Sequence, residues 1–461
     1  MSERARPRTS STRLAAVVTL AALSSACGGP GDGGPPKGVL LISIDSLRSD
    51  HLSCYGYESA TNPSRRTTPY IDDAIAAKGT RFANVYSTTS WTLPSHMALL
   101  TGQPDHVHGV RDAPWQLETK IQPYLPKIFR DAGWTTFGIW SGPNLSPYFG
   151  FGEGFDNYVD CSQVDSSVET FDVVDEDDWK AVGATHDKSH AVVTGPKIVD
   201  TFMSWFDDIA PDERFFAFVH MWDVHYDYHA PDAFDVFYDG YTGNVRDIPF
   251  GDLNDNGIKG SISREDRLRL LSLYDAEILF TDSNIERMVD RIAAAGRLDS
   301  TLVVVLADHG EEFEEHGWYG HKFKVYEESV RIPLVFRLPG TVREGAVVDG
   351  VTSIVDVAPT ILDLCEVESK AAKMWGRSLR TPLVEGTELP ERLAPLELTF
   401  RNDEWYRGAR GSDQKWIEMR DALRRRYHGD KVEPGEWMLK DGEYVQAVFP
   451  GVRASVWDLP Q

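Results

Sequence analysis

Four short runs of apolar residues punctuate this chain, at 39–44, 215–220, 302–306 and 333–337, and helical patterns lie between them. Runs of that length, apolar throughout rather than alternating, suit strands buried on both faces. Strands that alternate with helices point to an α/β fold around a parallel sheet. The clearest helical pattern covers 274–294, where Ile278, Ile285, Met288, Val289 and Ile292 share one face. With 41% hydrophobic and 26% charged residues, the 461-residue chain has the composition of a globular protein. Its length allows two or three domains.

Two of these runs end in acid. Gly38-Val-Leu-Leu-Ile-Ser-Ile leads into Asp45, and Thr301-Leu-Val-Val-Val-Leu-Ala leads into Asp308-His309. In open α/β sheets, ligands collect outside the carboxyl ends of the strands. Two carboxylates and an imidazole delivered to that edge suit a divalent cation, and the imidazole favours a transition metal. The competing assignment is that each aspartate caps a following helix.

A hydroxyl joins this set. Thr92-Leu-Pro94-Ser-His96-Met-Ala-Leu-Leu-Thr-Gly102 has proline in the first turn of a short apolar helix and glycine at its end. Thr92 is then at a helix N-terminus, where unpaired N–H groups and a positive partial charge favour a tetrahedral oxyanion. Alone, such a threonine would be read as a cap. With Asp45, Asp308 and His309 elsewhere in the chain, it reads as a nucleophile.

Together with these pieces, further motifs follow in a recognisable order: Thr68-Pro-Tyr-Ile-Asp72, Asp223-Val-His225, Lys322-Phe-Lys-Val-Tyr326-Glu327, and Val355-Asp-Val-Ala-Pro359-Thr360. Across about residues 38–365 the chain resembles the sulfatase family of the alkaline phosphatase superfamily. The resemblance implies an alkaline-phosphatase-like α/β three-layer sandwich with a central, mostly parallel sheet and a smaller C-terminal subdomain. It also implies a metal-dependent ester hydrolase. Asp45, Thr92, Asp308 and His309 would hold one divalent ion (calcium, manganese or zinc). His225 would stand near the leaving group as general acid, and Lys322, helped by His321, would pair with the anionic oxygens. His96 would contact Thr92 or the substrate. Asp223 and His229 offer a second metal position, as in two-zinc relatives. Each histidine also has a plain alternative as a hydrogen-bonded core or surface residue.

Several positions depart from the family. Sulfatases carry cysteine or serine where this chain has Thr92, and oxidise it to formylglycine. Threonine would give a ketone, and its ester has no second hydroxyl through which to expel sulfate. His96 replaces an arginine, losing bidentate anion binding. The Lys-Trp-His of arylsulfatases is also missing, because Ala132-Gly-Trp134 leads to Trp140-Ser-Gly-Pro-Asn144. These departures favour phosphoryl over sulfuryl transfer, on a small-molecule, glycan or lipid ester. A transferase of the same fold and a silent binding lipoprotein are the other classes considered. The retained nucleophile and metal set argue against a mere binder.

A formal net charge of −24 makes nucleic acid an unsuitable partner. A polyanionic substrate would also be repelled, unless the metal, Lys322 and the helix end supply a local positive centre. Arg424-Arg-Arg426 reads as a solvated helix face.

The N-terminus reads as a targeting segment. Arg4, Arg6, Arg8 and Arg13 precede the apolar run 14–23, which is too short to span a bilayer. Ser24-Ser-Ala26-Cys27 and a Gly/Pro stretch follow. This resembles a bacterial lipoprotein signal, although Ser24 stands where leucine is usual. The expected division is a signal peptide at 1–26, a tether at 27–37, a catalytic domain at 38–365 and a C-terminal subdomain at 366–461. A lipid on Cys27 would hold the protein in the bacterial cell envelope, with plain secretion as the alternative. The remaining Cys54, Cys161 and Cys365 allow at most one bridge. Residues 160–190 read as an acidic surface insertion, 251–257 as a turn rather than a calcium loop, and 407–416 as a strand of the C-terminal subdomain.

Overall fold

The strand Gly38–Ile44 (β1) is buried at every position and lies at the centre of the molecule. It pairs in parallel with Phe215–Met221 on one side and Thr301–Ala307 on the other. All three are buried at every position, because helices and loops leave no solvent-facing side.

A computed structural model describes residues 34–111, 116–117, 122–162, 193–247, 262–322, 324–369, 373–400, 404–421, 436–440 and 443–446. In chain order the other strands of the first part are Thr80–Tyr86 (β2), Thr135–Trp140 (β3), Asn157–Asp160 (β4), Phe215–Met221 (β5) and Thr301–Ala307 (β6). After these come Glu312–Phe313 (β7), Tyr319–Gly320 (β8), Arg331–Ile332 (β9), Leu334–Arg337 (β10) and Ala346–Ser353 (β11). The main sheet has nine strands in the order β11-β2-β10-β6-β1-β5-β3-β4, with β9 paired to β2. Only the pairings of β10 and β9 are antiparallel; the rest are parallel. The expected mostly parallel α/β fold is present.

Register decides where the functional groups emerge. Ile44 is level with both Met221 and Ala307, so the residues that follow these strands leave the sheet at one edge. Asp45 N–H extends the ladder by one bond to Met221 O (2.9 Å).

The helix anticipated at 274–294 runs from Arg264 to Ala294. Ser263 accepts from Asp266 N–H, and the Asp266 carboxylate accepts from Ser263 N–H, a reciprocal cap that periodicity does not reveal. The five apolar residues named above are all buried. This helix packs on the helix Gly195–Asp207, and the helix Thr92–Thr101 packs near Leu125–Asp131 and Val357–Leu364.

Five further strands, Ala394–Phe400 (β12), Glu404–Arg410 (β13), Lys415–Asp421 (β14), Glu436–Lys440 (β15) and Glu443–Gln446 (β16), form a separate antiparallel meander. Residues 407–416 are therefore a hairpin rather than one strand: Gly411–Gln414 is the turn between β13 and β14, and Gly411 N–H donates to Gln414 O at 2.8 Å. Cys54, Cys161 and Cys365 are free thiols. The targeting segment, most of the acidic insertion, the 251–257 turn and Arg424–Arg426 lie outside the described residues.

Candidate active site

Asp45 and Asp308 leave neighbouring strands side by side, and both are wholly buried. Ser46 takes a left-handed conformation (φ 58°), which turns its N–H onto Asp308 Oδ1 (3.2 Å) and its hydroxyl onto Asp45 Oδ1 (2.8 Å). A non-glycine residue rarely holds that φ, and such strain gathers at functional sites. On the other strand, Gly310 N–H and Glu311 N–H donate to Ser329 O (2.9 Å) and Glu328 O (3.1 Å). A Cβ at position 310 would collide with the Glu328 carbonyl, so glycine permits this close approach.

The helix 92–101 brings the hydroxyl. Trp91 is extended, Thr92 is the first helical residue, and Gly102 ends the helix in the left-handed region (φ 62°). All ten helical residues are buried. Thr92 Oγ1 lies 3.3 Å from Asp45 Oδ2 and 3.3 Å from His309 Nε2. His309 Nε2 in turn lies 3.3 Å from Asp308 Oδ2 and 3.6 Å from Asp45 Oδ1. His309 Nδ1–H donates to Gly310 O (2.9 Å), which leaves the Nε2 lone pair facing inward.

These atoms fit a cation. Among the described residues, Asp45, Asp308 and His309 are the one group of three or more acidic, histidine or cysteine side chains close enough to share an ion. Among the described residues, Asp308 Oδ2 is buried with no hydrogen-bond partner. Around a tetrahedral ion with bonds of about 2.1 Å, ligand atoms stand about 3.4 Å apart, close to the separations observed. Electrostatics agrees. Burial, then the neighbouring Asp45 charge, pushes Asp308 well above the carboxylate range. Burial also opposes ionisation of Asp45, but the neighbouring His220, His225 and His309 side chains hold it well below that range. Burial lowers His309 to about 4, so its imidazole is neutral and able to ligate.

Other residues named from sequence surround this core. Lys322, left-handed at φ 75°, donates its N–H to Ser90 O (3.1 Å) and holds Nζ over the Trp91 ring (4.8 Å). His225 stacks on Trp222 (3.9 Å between centroids), with Nδ1–H donated to Tyr226 O at 2.7 Å. His321 packs against His309 (4.4 Å) and His225 (5.0 Å).

His96 is held at both ring nitrogens. Its Nδ1–H donates to Thr92 O (2.9 Å), and Ser43 Oγ donates to its Nε2 (2.9 Å). With both nitrogens engaged and the ring fully buried, it braces the helix backbone rather than presenting a charge.

Asp223 and His229 are not in a group close enough to share an ion among the described residues. The Asp223 carboxylate accepts from the N–H groups of Thr194 and Gly195 at the start of helix 195–207, and His229 contributes its backbone N–H to Glu277. Capping has claimed that acid.

Sequence reasoning missed His220 and Glu311. His220 is the last residue but one of the otherwise apolar β5, level with Ser43, and its Nε2 lies 3.2 Å from Asp45 Oδ2. Glu311 follows Asp308-His309-Gly310 and bonds His321. A polar residue near the end of an otherwise apolar strand, and an acid just beyond the glycine, were the available signals.

A model of the sulfatase family matches residues 37–367. The chain belongs to the sulfatase family. This sulfatase-family protein is an ester hydrolase. Curated relatives include N-acetylglucosamine-6-O-sulfatase of Bacteroides thetaiotaomicron, 26% identical over 442 residues, covering 80% of this chain and 75% of that one. An arylsulfatase of Clostridium perfringens is 23% identical over 402 residues, with 79% and 80% covered. Among solved structures, the phosphonate monoester hydrolase of Agrobacterium radiobacter superposes with a TM-score of 0.65 at 20% identity, covering 85% and 90% of the two chains. An enzyme solved in complex with its substrate D-glucosamine-2-N,6-O-disulfate gives 0.64 at 21% identity, covering 85% and 92%. At those identities the structural likenesses establish the shared fold.

Proposed function

We propose that this protein hydrolyses an anionic sulfate or phosphate-type ester with Thr92 as nucleophile. The observation that carries the reading is the position of Thr92 Oγ1, 3.3 Å from both Asp45 Oδ2 and His309 Nε2 at the start of a buried helix. Asp45, Asp308 and His309 are the residues that would hold a divalent cation, with Thr92 as a further ligand. Such an ion lowers the pKa of a hydroxyl and polarises a non-bridging ester oxygen. A ligand set with one imidazole favours manganese or zinc over calcium.

The chain's own groups divide the remaining work. Asp45 accepts from the Thr92 hydroxyl, and the helix N-terminus favours charge gathering on the oxyanion. Lys322 meets the anionic oxygens, and His225 donates a proton to the departing oxygen. His96 keeps the nucleophile's backbone in place.

We further infer that phosphoryl chemistry is preferred over sulfuryl. A threonine ester cannot collapse to an aldehyde, so water must break it at the central atom. His96, occupied at both nitrogens, cannot replace the family's arginine in gripping a sulfate. The substrate would be a small-molecule, glycan or lipid ester, since the relatives named above include enzymes whose substrates are sulfated sugars.

The deciding assay compares 4-nitrophenyl sulfate, 4-nitrophenyl phosphate and bis(4-nitrophenyl) phosphate on metal-loaded protein. The diester is expected to turn over fastest, and Thr92→Ala to abolish turnover. Faster cleavage of the sulfate would reverse the chemical preference, and an active Thr92→Ala would remove the nucleophile.

The organisation proposed is a signal peptide at 1–26, a tether at 27–37, a catalytic domain at 38–365 and a C-terminal subdomain at 366–461. Lipid on Cys27 would place the enzyme in the bacterial envelope. Incorporation of labelled palmitate that disappears in Cys27→Ala is the corresponding test.

A further inference from the structure

A threonine nucleophile creates a requirement that a formylglycine hydrate does not have. Its covalent ester must be broken by water, and water attacks a tetrahedral anion slowly without a base. A neutral imidazole with one nitrogen fixed and the other open can serve as that base.

The histidines around Thr92 differ in this respect. His96 has both nitrogens engaged. His220 directs Nε2 at Asp45 Oδ2, 3.2 Å away. His309 directs its own at Thr92 and the aspartates. His225, with Nδ1–H on the Tyr226 carbonyl, is already assigned to the departing oxygen.

His321 is backed by a carboxylate that does not belong to the proposed metal set. Its Nδ1 lies 3.0 Å from Glu311 Oε1, and the Tyr228 hydroxyl donates to Glu311 Oε2 at 3.4 Å. His321 and Glu311 are both buried, and His321 Nε2 has no hydrogen-bond partner among the described residues. The ring packs 4.4 Å from that of His309, whose Nε2 touches the Thr92 hydroxyl. The next residue, Lys322, is tied to Ser90 O, two residues before the nucleophile. A carboxylate behind an imidazole fixes the tautomer and stabilises the imidazolium formed on proton uptake.

We propose that His321, oriented by Glu311, is the base that activates water to release the ester from Thr92; this rests on the Thr92 reading above. In the step, a water O–H bond breaks and its proton goes to His321 Nε2. The water oxygen bonds to the phosphorus (or sulfur). The bond from that atom to Thr92 Oγ breaks, and its electron pair stays on the threonine oxygen. The proton held by His321 then returns to that oxygen, giving free Thr92 and the released acid. His321 is the catalytic residue and Glu311 a positioning residue.

The test uses full-length, metal-loaded wild type, His321→Gln, Glu311→Gln and Thr92→Ala, with bis(4-nitrophenyl) phosphate and 4-nitrophenyl sulfate as probes. Stopped-flow measurement and mass spectrometry of the quenched protein are the readouts. His321→Gln is expected to lose about 10²- to 10⁴-fold in kcat. It should keep a burst of one nitrophenolate per site and accumulate an adduct on the peptide containing Thr92. Glu311→Gln should accumulate the same adduct with a smaller loss, an outcome that mere loosening of the fold would not produce.

Unchanged kcat in His321→Gln, or slow turnover in both variants with neither burst nor adduct, overturns the proposal. Failure of the underlying reading is seen separately, as burst or turnover that survives in Thr92→Ala.

Discussion

Asp308 shows how one atom exposes the demand of a site. One of its oxygens is bonded by the N–H groups of Ser46 and His309, while the other is buried with no hydrogen-bond partner among the described residues. Such an oxygen is destabilising in a metal-free protein and useful in a metal-bound one. Asp308→Asn should therefore leave metal-free protein as stable as wild type or more so, while removing the stabilisation by added metal. In wild type, metal at about a hundredfold its Kd should add about 2.7 kcal/mol. Thermal melts with manganese, zinc or chelator check this, and a full metal-induced shift in Asp308→Asn would contradict it. In the metal-free protein burial, then the Asp45 and Glu312 charges, pushes Glu311 well above the carboxylate range; a cation on Asp45 would offset the second contribution and favour the ionised form that its role behind His321 needs.

Buried acids recur at helix ends, where they carry measurable consequences. Asp282, on the long helix 264–294, accepts from the N–H groups of Tyr70 and Ile71, each at 2.8 Å. Burial nonetheless pushes it up to about 7, helped by Asp72 and Glu286 against those two hydrogen bonds. Because its folded pKa is raised, its contribution to stability is complete below the unfolded value near 4. It is lost as pH rises through about 7. Wild type should thus lose stability over that window relative to Asp282→Asn. Urea midpoints of the two proteins should converge or cross between about pH 4 and pH 8; a constant gap would refute the assignment. The sequence reveals the apolar face of this helix but not its start at Arg264. The first turns are polar, and their cap, Ser263 with Asp266, is a local hydrogen-bond arrangement that periodicity cannot detect. Strand β10 was legible as an apolar run, but its antiparallel direction was not, since apolar patterning carries no polarity.

At the scale of the whole molecule, the antiparallel meander braces the segment that carries Lys322. Glu327 accepts from Arg410 Nε (3.0 Å) and Lys415 Nζ (3.2 Å), and Lys324 bonds the Tyr406 hydroxyl. Lys415 is almost fully buried, so solvent screens its pair with Glu327 only partly. Lys415→Met should cost about 1.5–3 kcal/mol, a charged hydrogen bond lost while Arg410 remains. It should also raise KM more than it lowers kcat, because the loosened segment holds the anion-binding lysine. Urea unfolding and steady-state kinetics check both parts, and unchanged stability would show that the meander is not a brace.

The sequence by itself determined the α/β class and the family, because buried strands and ordered motifs are local in the chain. It also marked Asp45, Thr92, Asp308 and His309, whose residue types carry their chemistry openly. Only the tertiary structure decided which of the remaining polar residues serve the site. Asp223 went to a helix cap, His96 to bracing a backbone, and His220 and Glu311 to the centre. Their roles depend on which atoms lie within about 3 Å. Strand register sets those distances by bringing residues 45, 222 and 308 out at one edge, and no local pattern in the chain encodes that alignment.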